Sequence, residues 1–579
     1  MRILGIHDSH NATAALLVDG KLVAAVQEER LTGEKNQYGI PRLAIQNILN
    51  MTGLRMEEID CFAFASRYQT FALDGNRESL LRSFAQADYT PRMHLRTLFL
   101  DTNLGQRLWQ RTHAAARRKV AVEAGFPLEK VRFIEHHFAH AAAAYYGWGR
   151  MQEPVLVLTV DAAGDGLSAA VHTAQHGRIV RIAEIPDDDS LGYLYAIVTY
   201  LMCMTPVEHE YKLMGLAPYA GDVPQVRKIA DAFGRLYAFD PQNPLIWRRT
   251  PGTPPIPVAK NAIRRIMERQ RFDHICAGLQ LFFEEFLTQW VQNCIQRTGI
   301  RKVALSGGVF MNVKANMEIL KLLEVDELFI FPSCGDESNA IGAAYAAFVE
   351  ASRNGRAKIE PLGPLYLGED LTDTEAKEAL ERFHFSQPVT WIHHTDIESQ
   401  VARMLVEGKI VARAKGRMEF WARALGNRSI LADPSRPNVV RVINDMIKMR
   451  DFWMPFAPVV RAEQSELYML KPKPMAAPYM IITFDVLPEK REEMKAALHP
   501  YDWTARPQEV AREWNPDYYR ILEQFAALTG RGILLNTSFN LHGYPIVYRA
   551  EDALKVFDNS GLEYLALSNF LVSKESLLE

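Results

Sequence analysis

Two histidines four residues apart, His136 and His140, lie in the run Glu135-His136-His137-Phe138-Ala139-His140-Ala141, among good helix formers. At that spacing both imidazoles leave one face of a helix. Downstream, the apolar, β-branched run from Val155 to Val160 closes on Asp161, which the pattern puts at the mouth of a buried strand. Two imidazoles with one or more carboxylates suit a divalent ion of the zinc or iron type, with a position left for a substrate. The run Leu328-Phe329-Ile330-Phe331 likewise ends in an acidic turn, which makes Asp336 a candidate fourth ligand. The same spacing also fits histidines that merely line an alanine-rich helix, so the surrounding elements have to decide.

Those elements repeat. Strands are expected over 2–6, 12–18 and 21–27, the last two joined by the hairpin signal Asp19-Gly20. The same grammar returns over 155–160, 167–173 and 178–185, with a Gly/Asp turn at 162–166 and a second turn at His176-Gly177. Such self-similarity marks an internal duplication. Each polar turn between the first two strands of a unit offers backbone N–H groups to phosphate. Two such turns facing a cleft are the arrangement of actin-like, sugar-kinase-like ATPases. A third strand end, Val303 to Asn312, carries Gly307-Gly308 before a helix and suits an anion or nucleotide.

The 579 residues carry a net charge of −3, which gives no argument for nucleic acid or an anionic membrane as partner. No apolar run approaches a membrane span, and the N-terminus enters a strand directly without a signal-peptide layout. The five scattered cysteines, without Cys-x-x-Cys, fit reduced thiols in a cytoplasmic enzyme. Residues 67–130, with Arg92, Arg96, Arg107, Arg111, Arg117 and Arg118, form either a solvated helical insertion or a lid. Residues 351–366 look like a linker, after which the pattern changes. Lys415, Arg417, Arg423 and Arg428 are interleaved with Gly, Asn and Ser, and further basic groups follow at Lys448, Arg450 and Arg506. Arginine's planar fork matches phosphate and carboxylate, so this half reads as a second α/β domain with a polyanion pocket.

With these residues in hand, the chain resembles the NodU/CmcH family of O-carbamoyltransferases over nearly its whole length. The matching stretches are His10-Asn11-Ala12-Thr13, Gln27-Glu28-Glu29-Arg30, His136-His137-x-x-His140, Asp161-x-x-Gly164-Asp165-Gly166 and Lys212-x-Met214-Gly215-Leu216-Ala217-Pro218. Gly307-Gly308-Val309-x-x-Asn312, Gly335-Asp336, Arg423 to Ser429 and Asn536-Thr537-Ser538-Phe539-Asn540 complete the set. The resemblance implies an N-terminal domain, 1–355, of the duplicated actin-like (ASKHA) fold, similar to the tRNA threonylcarbamoyl transferase. It implies a C-terminal domain, 356–579, similar to the YrdC fold. The second domain would make carbamoyl adenylate from carbamoyl phosphate and ATP, with Mg2+ accompanying the ATP. The first would hold that intermediate on Fe(II) or another divalent transition metal and pass the carbamoyl group to a small-molecule hydroxyl acceptor, such as an antibiotic or sugar.

Roles follow from this. His10 is the candidate base; His136, His140, Asp161 and Asp336 the metal ligands; Asp165, Gly166, Lys212, Gly307, Gly308 and Asn312 the adenylate contacts. Lys448 and Arg450 are assigned to the carbamoyl-phosphate and ATP chemistry, with Arg417, Arg423, Arg428, Arg506, Ser538 and Asn540 around them. YrdC-like domains use a Lys-x-Arg and a Ser-x-Asn pair; Lys415/Arg417 and Lys448/Arg450 both fit the former, and the surroundings of Lys448 match the family better. Two other readings stand beside this one: an actin-like metabolite kinase, and a non-catalytic nucleotide-binding protein. The acceptor and the oligomeric state are not encoded in any motif.

Overall fold

The computed structural model describes residues 1–68, 77–88, 102–352, 358–448 and 450–574. By its contacts the chain forms two units, Met1–Glu28 with Asn36–Leu362, and Glu29–Lys35 with Gly363–Glu579. Residues 358–362, placed by sequence in the second domain, stay with the first. There the Glu360 N–H donates to the Gly20 carbonyl at 3.0 Å and the Leu362 N–H to the Gly147 carbonyl at 2.7 Å. Nothing in the sequence marks Glu29–Lys35 for the second unit; Arg30 is held there, its Nη2 donating to the Trp421 carbonyl at 2.7 Å.

In the first unit, strand β1 (Arg2–His7) pairs antiparallel with β2 (Thr13–Val18), and β2 with β3 (Lys21–Gln27). On its other side β1 pairs parallel with β4 (Cys61–Ala65), which pairs with β5 (Val131–Ile134). A second sheet contains β6 (Val155–Gly164), β7 (Leu167–Gln175), β8 (Arg178–Pro186), β9 (Lys302–Ser306) and β10 (Glu327–Ile330). Its order, β8-β7-β6-β9-β10, repeats the first sheet's β3-β2-β1-β4-β5, with the same strand directions. This is the duplicated, actin-like arrangement. β6 runs past its expected end at Val160: pairing resumes at Gly164 opposite Leu167 after an irregularity, so Asp161 lies inside the strand. The turn itself falls on Asp165 and Gly166, at φ 53° and 89°.

Four helices position the site: α1 (Asn103–Glu123), α2 (His136–Trp148), α3 (Phe272–Thr298) and α4 (Asn339–Ala351). Glu135 caps α2 by accepting from the N–H groups of His137 (3.0 Å) and Phe138 (2.9 Å), and Arg181 pairs with the same carboxylate. Both α2 and α4 are rich in alanine because they cross almost backbone to backbone. A Cβ on Gly342 would stand 1.8 Å from the Ala139 carbonyl oxygen, and one on Gly5 of β1 the same 1.8 Å from that of Ala340. Of the arginines read as a solvated insertion, Arg107, Arg111 and Arg118 are exposed, whereas Arg117 is buried. Arg92 and Arg96 lie outside the described residues.

The second unit is built on eight strands: β11 (Thr390–His393), β12 (Val411–Ala414), β13 (Arg428–Ala432), β14 (Ala457–Arg461), β15 (Gln508–Val510), β16 (Ile533–Ser538), β17 (Tyr564–Leu567) and β18 (Phe570–Ser573). Their order is β11-β18-β17-β12-β13-β16-β14-β15. Successive residues serve opposite faces, as the pleat requires. Ala412, Ile430 and Leu535 join a core with the helices Asp373–Arg382 and Ala550–Asp558, while Val411, Leu431 and Leu534 join one with Ile397–Val406 and Pro516–Thr529. The chain is therefore α/β throughout. Among the described residues no helix is long and apolar enough to cross a membrane.

Candidate active site

In the first unit α2 delivers His136 and His140, β6 delivers Asp161, and the turn before α4 delivers Asp336. One ligand-type atom from each of the four lies within 4.8 Å of every other. His140 Nε2 is 3.0 Å from Asp161 Oδ2 and 3.5 Å from Asp336 Oδ1; His136 Nε2 is 3.6 and 3.4 Å from the same two atoms. Two of these atoms, His136 Nε2 and Asp336 Oδ1, are buried with no hydrogen-bond partner. The electrostatics are lopsided in the same place. Burial pulls both carboxylates toward the protonated form; the neighbouring imidazoles of His136 and His140 overcome it at Asp161, which is held well below the usual range. At Asp336 burial and the Asp161 charge together push the carboxyl well above it. Two imidazoles, two crowded carboxylates and two orphaned donor atoms fit a divalent transition ion.

The groups behind these four hold them in place. His140 Nδ1 lies 3.3 Å from both Ser306 Oγ and Ser338 Oγ, so its Nε2 faces the centre. His137, though adjacent in sequence, turns its Nδ1 to Thr159 Oγ1 at 2.9 Å and is no part of the group. Gly307, at φ 104°, lets the end of β9 close on β6: a Cβ there would meet the Val160 carbonyl oxygen at 2.2 Å. Gly308 lies directly over the Asp161 carboxylate.

His10 stands beside this group, its Nδ1 3.5 Å from Asp336 Oδ2 and its side chain 26% exposed. Burial, with His136 nearby, holds its ring down at about 4 against the pull of Asp161, so it is neutral at neutral pH. A neutral, accessible imidazole next to two carboxylates can accept a proton from a hydroxyl. Sequence reasoning missed His7, whose Nε2 lies 3.5 Å from Asp336 Oδ2 and 3.1 Å from the His10 carbonyl oxygen. It also missed Tyr38, whose ring centroid is 6.1 Å from that of His10. The only sequence signal for His7 is its place at the end of β1, three residues ahead of His10.

Two of the proposed adenylate contacts have other duties. Asp165 accepts from Ser66 Oγ (2.8 Å), Tyr68 N (2.8 Å), Arg67 N (2.8 Å) and His136 N (2.9 Å). It thereby ties the loop after β4 to the start of α2, instead of facing a ligand. Asn312 caps the following helix through Ala315 N and exchanges two hydrogen bonds with Gln280 of α3, at 2.9 and 3.0 Å. Gly166 has open space where a Cβ would point, and Lys212 is buried in the helix Glu210–Leu216.

The second unit holds a centre of different character. Lys448 ends a seven-residue π-helical turn, Val442–Lys448, and is buried. Its Nζ donates to the Ser538 carbonyl (2.7 Å), Ser538 Oγ (2.8 Å) and Asn540 Oδ1 (2.9 Å). Burial, then Arg450 and Lys35, push its ammonium well below the usual range. Arg506 is similarly destabilised by burial and by Arg423 and Arg450. A guanidinium does not lose its proton, so such crowding of cations is relieved by an anion. Lys415 is elsewhere, paired with Glu398 at 2.7 Å and Asp517 at 3.1 Å.

Two arginines assigned to the pocket serve the backbone. Arg417 donates to the Gly368 and Leu367 carbonyls, both at 3.0 Å, and Arg428 to those of Tyr548 (3.0 Å), Gly416 (3.0 Å) and Asn427 (2.9 Å). They staple the loop between β12 and β13, which is why that stretch looks so basic.

Comparison with known proteins covers both units. Residues 2–345 match the family described as carbamoyltransferase N-terminus, and residues 402–574 the one described as carbamoyltransferase C-terminus. The chain is 32% identical to an uncharacterized protein of Synechocystis sp., over 99% of this chain and 96% of that one. It is 31% identical to nodulation protein NolNO of Sinorhizobium fredii, over 98% and 79%. To the 3'-hydroxymethylcephem-O-carbamoyltransferase of Amycolatopsis lactamdurans it is 29% identical, over 46% of this chain and 47% of that one.

Proposed function

The chain belongs to the carbamoyltransferase family, and on that premise we propose that it makes carbamoyl adenylate in its second unit and transfers the carbamoyl group to a small-molecule hydroxyl in its first. The observation that carries this reading is the pair of unlike centres: four metal-type ligands beside a neutral imidazole, and a lysine caged by Ser538 and Asn540 among half-buried arginines. A kinase has no use for the second centre.

In the second unit Lys448, Arg450, Arg423 and Arg506 bind and orient the anionic groups of carbamoyl phosphate and ATP. They hold positive charge where phosphate and pyrophosphate depart. Ser538 and Asn540 fix the lysine ammonium in direction. In the first unit His136, His140, Asp161 and Asp336 would hold a divalent transition ion, of which iron is our choice on ligand type. That ion, when bound, would supply Lewis-acid stabilisation of the charge that develops as AMP leaves. The chain's own groups do the rest. His10 accepts the acceptor's hydroxyl proton; Asp336, 3.5 Å from its Nδ1, orients the ring. The glycine pair Gly307-Gly308 keeps the floor beside Asp161 low enough for a nucleotide to approach.

One assay separates this reading from its rivals: release of pyrophosphate from ATP that depends on carbamoyl phosphate. ADP as the product would indicate a kinase, and no nucleotide turnover a binding protein; either outcome removes the proposal.

A further inference from the structure

We propose that the buried Asp8–Arg117 pair positions His10 for the transfer step, so that Arg117, from the helical insertion, is a positioning residue of the active site; the inference rests on the function proposed above. β1 ends at His7, and the turn to β2 reads Asp8-Ser9-His10-Asn11, with Asn11 in the left-handed region at φ 57°. His7 contacts Asp336 and the His10 carbonyl, which fixes the turn on the metal-ligand side. Asp8, between the two histidines, receives both terminal nitrogens of Arg117, with Nη2 2.5 Å from Oδ1 and Nη1 on Oδ2. Their side chains are only 4% and 2% exposed.

Arg117 does more than neutralise Asp8. Its Nε donates to the Ser66 carbonyl at 3.2 Å, and Ser66 Oγ donates to Asp165 at 2.8 Å. Asp165 in turn accepts the N–H of His136 at 2.9 Å. The guanidinium packs against Phe64 and Phe133, with its carbon 5.3 and 5.9 Å from the ring centroids. One planar cation therefore spaces the turn carrying the base against the loop after β4, which Asp165 ties to the start of the metal-ligand helix. A buried ion pair is a poor way to attach a helix, since a well-packed apolar pair would hold it as well or better. What the pair adds is direction: a two-point fork sets both the distance and the angle of Asp8. A base displaced by about 1 Å loses on the order of a hundredfold in rate, so this spacing bears on the chemistry.

The test uses the full chain with Arg117→Lys and with the double variant Asp8→Leu/Arg117→Met. The second keeps a packed, uncharged pair in case the first fails to fold. Three rates are read: AMP release from supplied carbamoyl adenylate with water as acceptor, pyrophosphate release in the adenylation step, and carbethoxylation of His10 by diethyl pyrocarbonate at fixed pH. Positioning predicts a fall of about tenfold or more in the maximal rate of AMP release, with KM for carbamoyl adenylate within about twofold. It also predicts unchanged pyrophosphate release and an altered carbethoxylation rate in both variants. If the double variant keeps wild-type AMP release and His10 reactivity, the pair is only an anchor and the inference is overturned. If pyrophosphate release falls alongside AMP release, general damage explains the result and the inference is likewise overturned. Should the wild type not turn over carbamoyl adenylate at all, the proposed function fails; His10 reactivity then still decides the pair, a change supporting it and no change removing it.

Discussion

His140 is the residue on which the metal assignment turns. It is buried, its Nδ1 lies between two serine hydroxyls, and its Nε2 sits 3.0 Å from Asp161. Purified protein should carry about one transition-metal ion per chain, and His140→Ala should lose it while retaining its secondary structure. Equal metal in both proteins by elemental analysis would remove the assignment. A second residue gives a pH prediction away from the site. Burial, then Arg181, hold the His172 ring down at about 3, so it is neutral in the folded chain. The unfolded chain takes up a proton near 6.5 that the folded one refuses, so stability falls as pH drops below about 6.5 and keeps falling toward 3. Between pH 7 and pH 5 that is worth about 2 kcal/mol. His172→Asn should lose about 2 kcal/mol less stability over the same range, as read by urea midpoints at the two pH values. Parallel losses in the two proteins would show that His172 is not the group responsible. Neither His7 nor Tyr38 could be picked from the sequence, because their roles depend on which way one turn folds. The four side chains that the fold gathers could be, because helix spacing and the acidic residues that follow apolar runs are local features.

At the scale of elements, the helix crossing of α2 and α4 sets where Asp336 meets the histidines. Gly342→Ala puts a methyl 1.8 Å from the Ala139 carbonyl, where neither backbone can yield easily. Overpacking of this kind costs about 1–3 kcal/mol, and occasionally more. The variant should show a lower thermal midpoint together with weaker metal retention; unchanged values of both would mean the crossing does not position the site. The three-stranded units were readable because Asp19-Gly20 is a hairpin signal, His176-Gly177 a turn signal, and the strands on either side carry regularly placed apolar residues. The end of β6 was not, since a strand irregularity after Val160 is a tertiary effect. The sequence leaves Arg117 among the arginines of a solvated insertion or a lid for a related reason. Its partner, Asp8, lies 109 positions away in sequence.

For the whole molecule, the sequence separates a half bearing the His/Asp group from a basic half, but does not show which of the basic residues are tied up in the backbone. Arg417 and Arg428 look like phosphate ligands in a row of letters, yet backbone carbonyls occupy them; Lys448, set apart in the sequence only by the resemblance of its surroundings, reaches Ser538 and Asn540. The chain also lends Glu29–Lys35 to the second unit, a crossing that no composition shift announces. The central claim is that adenylation and transfer belong to different units. Assaying both half-reactions on Lys448→Ala and His10→Asn tests it most directly. Lys448→Ala should abolish carbamoyl-phosphate-dependent pyrophosphate release, as expected for a preorganised charge worth several kcal/mol, yet still release AMP from supplied carbamoyl adenylate. His10→Asn should keep pyrophosphate release and lose about 10²–10⁴-fold in transfer. Equal damage to both steps by each substitution would contradict the division of labour.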